Sequence, residues 1–457
     1  MTNSRYTRPL AILAVVECLA FAIAAFAAWS ILEAGRGGLG YPALGLRVGL
    51  VCALIASMMF ALGLYSWRAL TGLGDLFVRV LVAFFLAYAF YAFLVYLAGE
   101  LRLPARVLTL ALLLALPLVF AIRLIFLRLT GLAQLKSRVL VLGTGKQAKH
   151  IQGLERNDRW SRFTVVAFID LEKRKPVVDA DRIRPMPDDL AAFAREHQVN
   201  EIVLALEERR GQTPLAPLIS ARLSGVEITD YQYFCEMAEG RVDLDALRPS
   251  WFFDPHGFRS GRLDLLLKRT FDITLAAALL IFTLPLLLVT AIAIRLESPG
   301  TVFFRQERVG KGGRTFVLIK FRSMRSDAEA GEPPQWAQES DPRVTRLGAF
   351  IRKTRIDEIP QVINVLLGDM SFVGPRPERP YFVDMLAEHI PFYRERHAVR
   401  PGITGWAQLN YPYGASIEDA KQKLRYDLFY IKHFRIVFDL GIVLQTIRVV
   451  LWPEGAR

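Results

Sequence analysis

Cysteine and histidine are scarce. Cysteine occurs three times in 457 residues, at 18, 52 and 235, and two of these fall in apolar runs, so a disulfide framework is excluded and a reducing compartment is the natural setting. There is no C-x-x-C pair, and the six histidines are scattered with no two at ligand spacing, which removes redox-dithiol and zinc chemistry from consideration. Internal repeats, low-complexity tracts and nucleic-acid-binding motifs are also lacking.

The chain is rich in apolar residues, 53% of the total, and in positive charge, a formal +13. Four apolar runs, residues 10–32, 46–66, 76–98 and 106–127, are each long enough at 1.5 Å per residue to cross roughly 30 Å of hydrocarbon. They predict a four-helix transmembrane domain over residues 1–132, the first helix an uncleaved anchor because no cleavage pattern follows it. Arg5 and Arg8 before the first span, Arg68 in the second turn, and Arg123, Arg128, Lys136 and Arg138 at the exit of the fourth outweigh Arg36, Arg47, Arg102 and Arg106. That balance predicts a cytoplasmic N terminus and a cytoplasmic middle region. Glu17, Asp75 and Arg79, in or near spans, read as structural. Given the membrane spans, the basic excess suits an anionic lipid surface and phosphorylated substrates rather than nucleic acid.

Residues 133–250 read as a soluble α/β domain. A strand at Val139 to Leu142 leads into Gly143, Thr144 and Gly145, with Ala148 opening a helix, and this GxGxxA resembles the phosphate turn of a Rossmann fold. Asp170 ends the next strand, near the place of a ribose-binding acid. Gly143, Gly145 and Asp170 are therefore candidates for accessory nucleotide binding, against a fold kept without a ligand. No Tyr-x-x-x-Lys pair occurs anywhere, which leaves a membrane-bound nucleotide-sugar dehydratase or epimerase as the runner-up and a silent glycan-assembly scaffold behind it.

Residues 251–457 read as a mixed α/β domain. An apolar segment, residues 268–295, is basic at both ends and has Pro285 mid-run, where proline removes a backbone hydrogen bond to Ile281 and kinks a helix. Residues 305–325, RQERVGKGGRTFVLIKFRSMR, form a predicted hairpin about glycines 310, 312 and 313 and carry Arg305, Arg308, Lys311, Arg314, Lys320, Arg322 and Arg325. In RKTRIDEIPQ, residues 352–361, Asp357 and Glu358 stand side by side at a predicted helix start. Asp357 is placed as N-cap, Pro360 lies in the first turn, and Val362, Ile363, Val365 and Leu366 form the buried side as far as about Leu367. Free N–H groups there favour a phosphate, or an ionised aspartate beside a divalent metal; for the pair in isolation, plain capping explains it as well. Pro375, Arg376 and Pro377 fix a guanidinium for bidentate phosphate binding. Phe392, Tyr393, Trp406, Tyr411 and Tyr413 suit a membrane interface, a base and sugar cleft, or a core, and the last residues, with Trp452, an amphipathic surface helix.

Taken together, the basic-flanked apolar helix with its proline, KFRSM at 320–324, the Asp-Glu pair, the Pro-Arg-Pro turn and RPGITGWAQLNY at 400–411 resemble the bacterial sugar transferases, the monotopic polyprenyl-phosphate phosphoglycosyl transferases. The resemblance implies transfer of a sugar 1-phosphate from a UDP-sugar to polyprenyl (undecaprenyl) phosphate, with UMP released, as the first membrane step of exopolysaccharide, capsule or O-antigen assembly. It implies Asp357 as a nucleophile that becomes an aspartyl-phosphosugar, Asp357 and Glu358 at a Mg2+ ion, and Lys320, Arg322, Arg352, Arg376 and Arg308 as phosphate-binding cations. A carboxylate is a weak nucleophile toward a diphosphate, so cations must drain charge from it. The resemblance also makes residues 268–295 a re-entrant helix broken at Pro285, with Thr283 in place of the family's serine to catch a freed carbonyl. The catalytic domain then faces the cytoplasm at the bacterial inner membrane, and the middle domain is a regulatory or dimer-forming module.

Overall fold

The computed structural model describes residues 4–33, 41–65, 73–130, 136–157, 163–171, 175–207, 213–245, 247, 249–254, 257–258, 261–325, 343–412, 414 and 416–451. Tyr413 and Trp452 lie outside them. Contacts divide the chain into two units at Gly240/Arg241. This falls before the boundary at 250/251 read from composition, because Val242 donates to Arg425 O and Asp245 pairs with Lys421 and Arg425 of the C-terminal unit.

In the N-terminal unit the four apolar runs are helices α1 (Ser4–Glu33), α2 (Tyr41–Ala61), α3 (Leu73–Leu97) and α4 (Ala105–Thr130). Each has a stretch long and apolar enough to cross a bilayer, and small residues such as Ala24, Ala25, Ala28 and Ala111 line their common core. Arg123 corrects one expectation. It is not an interfacial charge at the exit of α4 but is wholly buried against Glu17 of α1, Nε to Oε1 at 2.7 Å, while Tyr65 donates to Glu17 Oε2 at 2.6 Å. A buried arginine paired inside a bundle carries no topological signal, so the basic excess at that exit rests on Arg128, Lys136 and Arg138. Arg79 donates to Leu62 O, in keeping with a structural role.

The same unit carries β1 (Ser137–Leu142), α5 (Lys146–Asn157), β2 (Phe163–Ile169), β3 (Ile183–Arg184), α6 (Leu190–Glu196), β4 (Glu201–Leu204), α7 (Leu215–Leu223), β5 (Glu227–Asp230) and α8 (Tyr231–Glu239). The strands are parallel in the order β3-β2-β1-β4-β5, the Rossmann order, with apolar clusters on both faces.

In the C-terminal unit a short 3-10 turn, Pro249–Phe253, precedes α9 (Arg262–Glu297), which is one helix that continues through Pro285 and is not broken there as the resemblance implies. Antiparallel β6 (Phe303–Val309) and β7 (Thr315–Phe321) follow, then α10 (Arg346–Lys353), α11 (Gln361–Leu367), β8 (Ser371–Val373), α12 (Pro380–His389), β9 (Gly402–Thr404), α13 (Trp406–Asn410), α14 (Ile417–Lys432) and α15 (Ile436–Leu451). Strands β8 and β9 pair in parallel, so closely at Gly374 and Gly402 that a Cβ on Gly402 would sit 2.1 Å from Gly374 N. Polar contacts fix both ends of α9 to this one unit. Near its start, Lys268 pairs with Asp439 of α15 at 2.6 Å, Arg269 caps the carbonyls of Val365 and Leu366, and Asp272 accepts from Ser371 Oγ and Phe372 N. Near its end, Ile294 packs on Phe321 and Ile351, and Glu297 accepts from Leu347 N. Between these anchors Ile281, Phe282 and Val289 are exposed. Thr283 departs from expectation: its hydroxyl donates to Leu279 O, its own i−4 carbonyl, and not to Ile281 O.

Candidate active site

Asp357 and Glu358 lie in a single 3-10 turn, Ile356–Glu358, between α10 and α11. Helix α11 starts only at Gln361, with Pro360 in the N-cap position and no side chain capping it, so Asp357 is not the N-cap expected from sequence. The chain reverses between the helices through Arg355, whose φ of +59° is left-handed. This bend turns the two carboxylates toward β7 and the loop after β8. Helix α11 ends at Leu367, as the sequence predicts, on Gly368 with φ +96°.

Three cations converge on Glu358 Oε1: Arg376 Nη2 at 2.8 Å, Lys320 Nζ at 3.2 Å and Arg355 Nη1 at 3.5 Å. Burial opposes the charge on Glu358, but Arg376, Lys320 and Arg355 outweigh it and hold the carboxyl well below the usual range. Asp357 differs. Burial and then the Glu358 charge push its pKa up, opposed by Lys320, Arg352 and Arg355, and its Oδ1 is buried without a hydrogen-bond partner. Burial likewise lowers the pKa of Lys320, with Glu358 working to restore it. Arg352 gives Nε to Ser323 Oγ at 2.8 Å, and its Nη groups make no hydrogen bond among the described residues. Lys320, Arg352, Arg355 and Arg376 thus carry two more positive charges than the two carboxylates cancel, the complement of a diphosphate.

Two expected phosphate binders are committed elsewhere. Arg322 is 6% exposed and spends its guanidinium on Pro299 O, Ser298 O and Ser298 Oγ, tying down the end of α9. Strand β7 ends at Phe321, so Arg322 lies beyond the strand that carries Lys320. Arg308 donates to Pro377 O at 3.0 Å and to Gln306 Oε1, so it holds the Pro-Arg-Pro turn in place. Among the aromatic residues, Tyr393 is a core residue buried under Arg396, while half-buried Trp406 stacks on Phe429 and packs edge-on against Phe438.

The sequence reading also missed residues. Arg355 lies in the motif itself, yet nothing local announced its left-handed turn. Asn364 and the buried pair Arg396–Asp427, 2.8 Å apart, act on partners far along the chain. Arg396 Nη2 donates to Arg376 O at 3.1 Å and so sets the backbone from which Arg376 reaches Glu358.

For a hard cation, the donor set fits one that arrives with substrate. No group of three or more His, Cys, Asp or Glu gathers among the described residues, whereas Mg2+ typically takes one or two carboxylates and completes its shell with phosphate and water. Asp357 Oδ1 is orphaned, and the described contacts of Glu358 all fall on Oε1, so each carboxylate has an oxygen with no described partner.

In the N-terminal unit, Gly143 has φ +125° and passes so close to Ala205 O that a Cβ would lie 2.3 Å away, which explains the glycine without a ligand. Asp170 accepts from Thr144 Oγ1 at 3.1 Å, and the N–H of Lys146, opening α5 just after Gly145, is taken by Glu207 Oε1 at 2.8 Å. A carboxylate of the chain itself therefore caps the helix start where a nucleotide phosphate was expected.

Residues 263–453 match the family profile described as bacterial sugar transferase, and residues 60–219 that of a CoA-binding domain. The exopolysaccharide production protein PSS of Rhizobium leguminosarum bv. phaseoli is 43% identical over 193 residues, 40% of this chain and 95% of that protein. The chain belongs to the bacterial sugar transferase family. The UDP-glucose:undecaprenyl-phosphate glucose-1-phosphate transferase of Xanthomonas campestris pv. campestris is 33% identical over 332 residues, 70% of this chain and 67% of the relative. The UDP-N-acetylgalactosamine-undecaprenyl-phosphate N-acetylgalactosaminephosphotransferase of Aeromonas hydrophila is 45% identical over 240 residues, 52% of this chain and 56% of the relative. The match thus spans little more than half the length of that last protein.

Proposed function

We propose that this sugar transferase moves a sugar 1-phosphate from a UDP-sugar to undecaprenyl phosphate, at the cytoplasmic face of a bacterial inner membrane, as the opening step of exopolysaccharide-type assembly. The observation that carries the proposal is the Asp357 carboxylate, buried, with one oxygen unpartnered and cations on the side of its neighbour Glu358. The names of the relatives, which include undecaprenyl phosphate and a UDP-sugar, support this choice of acceptor and donor.

An Asp357 oxygen attacks the sugar-bearing phosphorus, the bond from that phosphorus to the bridging oxygen breaks, and UMP leaves. A phosphate oxygen of the polyprenyl phosphate then attacks the same phosphorus, and the bond to Asp357 breaks, which restores the carboxylate. Arg352 and Arg376 orient the diphosphate, and Lys320 faces the charge that grows on the leaving phosphate. Glu358 keeps Lys320, Arg355 and Arg376 together so that they do not have to be assembled during the reaction. Mg2+, held by Asp357 and Glu358, would supply further charge neutralisation.

In a radiolabelled transfer assay, Asp357→Asn is expected to lose activity by several orders of magnitude while remaining folded. Intact-mass measurement with donor alone should show the wild-type chain heavier by one phosphosugar and Asp357→Asn unchanged. Full activity in Asp357→Asn, or no adduct on an active wild-type enzyme, overturns the proposal.

A further inference from the structure

Strand β7 has β6 on one edge only, so the backbone groups along its other edge need partners from outside the sheet. Asn364 provides them. Its side-chain Nδ2 donates to Val317 O at 2.7 Å, and its Oδ1 accepts from Ile319 N at 3.0 Å, so one amide takes the place of a neighbouring strand across residues 317–319. The side chain is 1% exposed and its backbone is fixed as well, since Asn364 O accepts from Gly368, Asp369 and Met370 N–H where α11 ends. Asparagine is a poor residue for a helix interior, because its amide competes for backbone groups. Here the competition is turned to use, and only a side chain with both a donor and an acceptor at this length serves.

Lys320 is the residue after the clamp. It reaches Glu358 Oε1 at 3.2 Å from β7, while the Asp357–Glu358 turn leads through Pro360 into α11, which bears Asn364 one turn on. The amide is therefore a direct tie between the two elements whose separation fixes where Lys320 stands relative to the carboxylates. We propose that Asn364 is a positioning residue of the transfer reaction, and that it acts through Lys320. The inference rests on the catalytic reading above.

The test is a double-mutant cycle on the full-length protein reconstituted in lipid, with Asn364→Ser, Lys320→Met and the pair. Asn364→Ser is expected to lower kcat about 10-fold or more with KM for the UDP-sugar nearly unchanged, yet to cost less than about twofold further in the Lys320→Met background. Loss by the same factor in both backgrounds overturns the inference, because a general loosening of the fold does not depend on what stands at 320. Should Asn364→Ser fail to fold, Asn364→Asp, which keeps the acceptor for Ile319 N–H and loses the donor to Val317 O, takes its place in the cycle under the same criterion. The two readings fail separately. An active Asp357→Asn removes the catalytic reading, whereas an inactive Asp357→Asn with an additive cycle removes only the role of Asn364.

Discussion

Glu358 and Asp357 are adjacent carboxylates with opposite pKa shifts, and the difference lies in who faces each of them. Glu358 receives Arg376, Lys320 and Arg355 on one oxygen, while Asp357 has burial and the Glu358 charge against it. On the proposed mechanism Asp357 attacks as the anion, so its raised pKa places the acid limb of kcat/KM above that of an ordinary aspartate. In Glu358→Gln the second of the two causes that raise it is gone, and the limb is expected to move to lower pH. The freed cations would meanwhile reduce kcat, by roughly 100-fold. An acid limb that stays put or moves upward contradicts the account. Stability carries its own sign. The folded pKa of Glu358 lies below its ordinary 4.5, so its contribution is present above that value and is lost as pH falls below it. Glu358→Gln should lose less stability on acidification than the wild type. Much of this site was legible in the sequence, because Asp357, Glu358, Lys320, Arg352 and Arg376 stand in short motifs whose turn residues and charges speak locally. Arg322 and Asn364 were not legible, since what each one binds lies 23 or more residues away.

At the scale of elements, the loop after β8 is held by α14 through a buried ion pair. Arg396 places Nε and Nη2 on Asp427 Oδ2, Nη1 on Tyr393 Oη, and Nη2 also on Arg376 O. Burial raises the pKa of Asp427, and Arg396 opposes the rise. Asp427→Asn would leave the arginine charge buried without its counterion, at a cost of about 3–5 kcal/mol, readable as a fall in melting temperature. Replacing the pair with Arg396→Met and Asp427→Leu together should restore most of that stability. The double variant should nevertheless be less active than the wild type, because Arg396→Met takes the donor from Arg376 O. If the double variant turns over like the wild type, Arg396 is structural only. The sequence displayed Arg396 and Asp427 as ordinary charges on a basic loop and an amphipathic helix. Pairing across 31 positions has no local signature. The middle of the parallel sheet, by contrast, was readable, since the buried strands β1 and β2 announce themselves as apolar runs and the GxG turn as glycines, whereas the short edge strands β3 and β5 do not.

At the scale of the whole molecule the decisive element is α9. Its composition alone permits a full crossing of the bilayer, as for the four helices of the N-terminal unit. Its anchors argue against one. Lys268, Arg269 and Asp272 at one end, and Ile294, Glu297 and Ser298 at the other, are all held by the C-terminal unit, to which the Asp357–Glu358 turn also belongs. A crossing would set these anchors on opposite sides of roughly 30 Å of hydrocarbon, and the polar unit binding both would have to follow them in. As one helix the run from Asp272 to Ile294 rises about 33 Å, so a single-face entry requires α9 to bend at Pro285, where a backbone hydrogen bond is missing. We therefore expect α9 to enter and leave on one face, with its exposed Ile281, Phe282 and Leu284 in the acyl region. In a variant with Cys18, Cys52 and Cys235 replaced, Gly261→Cys and Ser298→Cys should both react with an impermeant maleimide in inside-out vesicles and neither in intact cells stripped of outer membrane. Leu284→Cys should stay unreactive in both. Labelling of Gly261→Cys and Ser298→Cys from opposite sides would establish a crossing, and would require the unit to be held together in some way that the contacts at the two ends of α9 do not provide.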